Sequence, residues 1–68
     1  MWRIKCSNGL YVSKTTYGTW ISYSKKGKIF TNEKIALKNL SLCQEFANKD
    51  EKYNTLIYTI EKITSPNN

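Results

Sequence analysis

The sequence predicts an α+β fold: an antiparallel sheet of about five strands, in the order ββββαβ, with one helix packed on one face. Three observations lead there. Residues 2–30 alternate between apolar and polar positions and are interrupted by turns ending in glycine. From Ile35 to Ala47 the apolar spacing changes to three and four. From Leu56 to Glu61 the alternation returns.

The first hairpin is the clearest local signal. Trp2, Ile4 and Cys6 alternate with Arg3 and Lys5, and Ser7-Asn8-Gly9 separates them from Leu10, Tyr11 and Val12. A two-residue Asn-Gly turn would send Leu10 and Val12 to the face opposite Trp2 and Ile4. A three-residue loop, with Ser7 and Asn8 in a type I turn and Gly9 left-handed as a bulge, pairs Cys6 with Leu10 and Ile4 with Val12. That register makes one face consistently apolar, so the bulged loop is expected.

Residues 14–18 form a polar connection ending in Gly18, and Thr19–Ser24 has the β-branched and aromatic content of a third strand. Lys25-Lys26-Gly27 repeats the three-residue turn. A fourth strand, Lys28–Phe30, is then expected to pair with the third, setting Tyr23 beside Ile29 and Ser22 beside Phe30. Both faces carry aromatics here, which leaves Trp20 or Tyr23 partly exposed.

Thr31 and Asn32 are good helix caps, and Glu33 suits the positive end of the helix dipole. Ala36, Leu40, Cys43 and Ala47 form the centre of the apolar stripe, flanked by Leu37, Ile35, Leu42 and Phe46. The arc is about 220° wide, more than a helix lying on a sheet needs. Either the last strand or a second molecule covers the surplus, and the last strand is the favoured cover. Residues 48–54 read as a polar loop of modest order. Leu56, Tyr58 and Ile60 alternate in the final strand, which is expected at an edge or beside the first. Residues 1–63 form one domain in this reading, because so short a chain does not divide its apolar residues between two cores. Residues 64–68, with Pro66, read as a frayed tail.

Composition narrows the function. The chain has no histidine, and its five acidic residues form no matched pair, so general acid–base catalysis is poorly supplied and no enzyme is expected. Cys6 and Cys43 do not make a four-ligand zinc set, and neither metal nor cofactor is expected. Gly9, Gly18 and Gly27 stand singly at turns, without a phosphate-binding loop. Met1–Lys5 alternates where a secretory signal would run apolar, which places the chain in a reducing cytoplasm with both cysteines as small core hydrophobes. No stretch reaches the ~20 apolar residues of a membrane span.

Binding is better supplied. The net charge is +6, and Arg3, Lys5, Lys14, Lys25, Lys26 and Lys28 interleave with Tyr11, Tyr17, Trp20 and Tyr23. One reading makes Trp20, Tyr23, Tyr17, Tyr11 and Arg3 the hot spots of a protein interface, with lysines steering toward an acidic partner. The other makes Lys25, Lys26, Lys28, Lys14 and Lys5 phosphate contacts for nucleic acid, with aromatics stacking on bases. The chain is expected to be a monomer or a homodimer, and a third reading is a homo-oligomer that packs helix on helix through Leu37 or Leu42 and Ile35.

The run from Gly18 to Leu40, G-T-W-I-S-Y-S-K-K-G-K-I-F-T-N-E-K-I-A-L-K-N-L, resembles two groups of proteins. One is the arm-type DNA-binding domain of phage integrases, similar to plant AP2 domains, in which a three-stranded sheet enters the major groove with a helix behind it. That resemblance covers about a third of the chain and implies a DNA-facing role for Trp20, Ser22, Lys25, Lys26 and Lys28. Phe30, Ala36 and Leu40 would then join sheet to helix. The other group is the small phage-encoded proteins of unassigned function, which often begin like Trp2-Arg3-Ile4 and Gly9-Leu10-Tyr11. This second resemblance implies a stoichiometric protein that occupies and inhibits or modulates a host or anti-phage defence protein, which is the expected function, with a nucleic-acid-binding accessory role as the alternative.

Overall fold

The computed structural model describes residues 1–16 and 20–64; the side chains of Thr15, Thr16 and Trp20 lie outside that description. Its elements are β1 (Trp2–Cys6), β2 (Tyr11–Thr16), β3 (Trp20–Ser24), α1 (Glu33–Asn48) and β4 (Tyr58–Lys62). The strands form one antiparallel sheet in the order β3-β2-β1-β4, and α1 packs principally on β4 and β1. The fold is α+β, as the sequence predicts.

The first hairpin has the bulged loop. Gly9 sits at φ 91° and its N–H donates to Cys6 O at 3.1 Å, while Cys6 N–H donates to Leu10 O at 2.9 Å. Asn8 Oδ1 accepts from the Leu10 N–H at 2.9 Å, an Asx turn that holds the loop. Lys5 pairs with Tyr11, so Ile4, Cys6 and Val12 share the buried face and Arg3, Lys5 and Tyr11 the opposite one.

The segment Lys28–Phe30 departs from expectation. It does not pair with β3, which instead lies beside β2 with Tyr11 opposite Ser24 and Val12 opposite Tyr23. A bulge between Val12 and Lys14 bends β2 away from β1. Into that fork comes Lys28, whose N–H donates to Val12 O at 2.9 Å, followed by Phe30, which exchanges two hydrogen bonds with Trp2 at 2.7 and 2.8 Å. The preceding turn crosses β2 beside Tyr11, on the face away from the helix. Lys28–Phe30 thus carries the chain from one face of the sheet to the other, where Phe30 is buried and α1 begins.

Asn32 caps α1 by accepting from Ile35 N–H, with Glu33 in the first turn. Ala36, Cys43 and Ala47 are the buried helix residues, and their small side chains let the helix axis approach the sheet closely. They join Ile4, Cys6, Val12, Ile21, Phe30 and Tyr58 in one core. The helix exit is more ordered than a polar loop implies. Asp50 N–H bonds to Ala47 O, Tyr53 N–H to Asp50 O and Leu56 N–H to Tyr53 O. The Tyr53 ring lies 5.7 Å from that of Phe46, covering one flank of the wide apolar arc. Ile35 on that same flank and Leu37 on the other stay exposed. Of the predicted tail, only Thr64 falls among the described residues.

The last strand pairs with β1 at the sheet edge, as Ile4 opposite Ile60 and Arg3 opposite Glu61. Ile57 O and Ile63 N–H bond toward β1, so the backbone groups of Tyr58 and Ile60 turn outward. Gln44 reaches this open edge. Its Oε1 accepts from Tyr58 N–H at 2.9 Å and its Nε2 donates to Leu56 O at 3.1 Å, as a neighbouring strand would. Changing Gln44 to leucine leaves both groups without a protein partner, and we expect a loss of about 1–3 kcal/mol. Because the edge is then open to pairing with other chains, light scattering at rising concentration should also show association absent from the parent.

Candidate binding surface

The face of the sheet away from α1 carries one connected polar cluster, built from three strands and a turn. Arg3 and Glu61 are directly opposite on β1 and β4, and Arg3 Nε donates to Glu61 Oε2 at 2.6 Å. The guanidinium lies flat over Tyr11, 3.7 Å from the ring centroid, and Tyr11 Oη donates to the other Glu61 oxygen at 3.1 Å. Arg3 Nη1 also donates to Lys26 O at 3.2 Å, tying the crossing turn to the sheet. Ser24 Oγ accepts the Gly27 N–H at 2.7 Å inside that turn. Arg3, Tyr11 and Glu61 are thus each held in one place by at least two partners.

The hydrogen bond from Arg3 lowers the Glu61 carboxyl below its usual range, helped by the Tyr11 hydroxyl and by the positive charges of Arg3 and Lys5 against a smaller opposing desolvation. A lowered folded value means that the stabilisation is complete above the unfolded carboxylate value and is lost as pH falls through the folded one. We therefore expect acid titration below about pH 4.3 to remove a contribution of under about 1 kcal/mol, given that both side chains are partly exposed. Urea midpoints of parent and Glu61→Gln chains should converge at low pH and separate at neutrality.

The predicted site residues divide. Arg3 and Tyr11 meet in the cluster, with exposed Lys5 two positions along β1 on the same face. Lys25 and Lys26 are exposed on the turn that crosses it. Lys14 and Lys28, both exposed, line instead a cleft between the fork and α1, with Lys28 Nζ 5.3 Å from the Phe30 ring centroid. Tyr23 is half-buried against the core, and its hydroxyl lies 2.6 Å from that of Tyr58. Burial pushes the Tyr23 phenol up to about 12 and the Tyr58 phenol higher still, so both stay neutral. Tyr17 and the Trp20 side chain lie outside the described residues.

Glu61 is the member that the sequence reading did not single out. A signal was present: once the last strand is set antiparallel beside the first, Arg3 and Lys5 face an alternation that holds one acid. The charge distribution sharpens the picture further. Residues 1–30 hold six basic and no acidic residues, while residues 31–68 hold five of each, so the whole net charge lies on the three-stranded half and its crossing turn.

Among the described residues, no group of three or more histidine, cysteine, aspartate or glutamate side chains is placed to hold a metal ion. No helix there is long and apolar enough to cross a membrane. Cys6 and Cys43 are free and buried, and burial raises the Cys43 thiol to about 11. Compared with protein-family models, with curated proteins and with solved structures, the chain matches none.

Proposed function

We propose that this is a non-enzymatic binding module of the cytoplasm that engages nucleic acid through the sheet face away from its helix. The observation that supports the reading is the segregation of charge. All six net charges belong to residues 1–30, and the one carboxylate on the uncovered face, Glu61, is already paired with Arg3. Lys5, Lys25 and Lys26 are therefore left on or above that face with no ion pair among the described residues. Such a surface suits phosphates, whose neutralisation releases condensed counterions. Two buried free thiols fit a reducing compartment.

A mobility-shift titration against duplex and single-stranded DNA and RNA, repeated from about 50 to 200 mM salt, tests this. Three phosphate contacts predict a log–log salt slope near −3 on duplex, and replacing Lys5, Lys25 and Lys26 together by glutamine should remove most of it. No binding at the lowest salt, or a slope indifferent to the three changes, would overturn the proposal.

The Arg3–Tyr11 stack favours a second reading. Arginine and tyrosine are frequent interface hot spots, and here both are pre-ordered, which lowers the entropy lost on binding. A host or defence protein with an acidic surface is the partner that the resemblance to small phage proteins suggests. In that case Tyr11→Ala should abolish capture of such a protein, while the glutamine variants mainly slow association.

A further inference from the structure

The cleft between α1 and the β1/β2 fork lies on the other side of the sheet from the polar cluster and serves neither reading above. Its volume is about 260 Å³, and it is lined by Ile4, Val12, Phe30 and Cys43 below and by Lys14 and Lys28 at the rim, with Ser13 and Asn39 between. It exists for a structural reason. The bulge in β2 opens the fork, Lys28–Phe30 spans it from Val12 to Trp2, and α1 packs toward β1 and β4.

We propose that this cleft binds a small monocarboxylate with an apolar body. The apolar lining residues belong to the core and are themselves at most 8% exposed, so they give the cleft a dry floor against which a ligand's hydrocarbon body rests. No carboxylate lines the cleft, and neither rim lysine makes an ion pair among the described residues. Two ammonium groups beside an apolar floor have no use for a neutral hydrocarbon alone and are matched by a single anionic head. Size sets the rest. The volume equals about nine waters at roughly 30 Å³ each, which admits acids of about ten heavy atoms and excludes a nucleotide.

The test is an amide chemical-shift titration of the whole chain with octanoate and benzoate, and with 1-octanol as an uncharged control. The expected result is saturable shifts centred on Val12, Lys28, Phe30 and Cys43 for the acids. Binding should weaken about tenfold or more for octanol, and likewise for octanoate once Lys14 and Lys28 are both glutamine, the loss of a charge-assisted contact. Both changes leave the Lys28 backbone bond to Val12 in place, and the variant's spectrum reports whether its fold is retained. Absence of saturable shifts at millimolar acid overturns the proposal. So does octanol binding as tightly as octanoate, or octanoate affinity that survives loss of both lysines.

Discussion

Replacing Gly27 by alanine is expected to cost about 2–4 kcal/mol, a large share of what a domain of this size has. Two effects add. Gly27 sits at φ 75°, where an L-residue is disfavoured by roughly 1–2 kcal/mol. A β-carbon there would also lie 2.5 Å from the Tyr11 β-carbon and 3.3 Å from Val12 O. Neither neighbour is free to yield, because Tyr11 is clamped between Arg3 and Glu61 and Val12 O accepts the Lys28 N–H. Gly9 provides the control. Its φ of 91° is equally unsuited to alanine, yet nothing lies within 4 Å of its β-position, so Gly9→Ala should cost only the backbone part. Urea unfolding of the two variants separates conformational strain from crowding. Equal losses would mean that the turn does not pass tightly over Tyr11. A larger loss at Gly27 should come with weaker binding, since the same collision displaces the Arg3–Tyr11 stack.

How much of this was legible depends on how local the determining contacts are. The first hairpin is fixed within eleven residues: the alternation, Asn8 and Gly9 select one register, and the structure has it. The helix limits follow equally from Asn32, Glu33 and the change of apolar spacing. Alternation alone assigns Lys28–Phe30 to β3, because it does not distinguish one antiparallel neighbour from another. What decides it is the bulge at Ser13, a polar residue between Val12 and Lys14 where the alternation itself gives no mark of an extra residue. The candidate surface divides in the same way. Arg3, Tyr11 and the lysines stand out by type, but their grouping depends on β4 lying beside β1, a contact between residues nearly sixty positions apart. Tyr23 is expected to be one of two aromatics left partly exposed, and it is half-buried. Its ring packs against the core and its hydroxyl bonds to that of Tyr58, a contact that alternation alone does not reveal. Gln44 was invisible for a similar reason, since a glutamine on a helix gives no sign that it will finish a strand edge.

Truncating Ile4 to alanine is expected to cost about 2–5 kcal/mol, against about 0.5–1.5 for Ile4→Val, and the size of the loss reports on the cleft. Ile4 is fully buried at the centre of the sheet, paired with Ile60 on one side, and it forms part of the cleft floor on the other. Removing three carbons forfeits their transfer from water and leaves a void that joins a space already there. If the fork and helix close over the gap, the loss falls near the lower figure, and octanoate no longer stabilises the variant. If they hold their positions, the loss approaches the upper figure. The enlarged cleft then still accepts the acid, and octanoate at about ten times its dissociation constant restores roughly 1.4 kcal/mol by mass action. The second outcome follows from the way the fork is built. Lys28 and Phe30 are bonded through the backbone to both of its arms, so the opening between β1 and β2 is held by hydrogen bonds that a missing side chain does not touch.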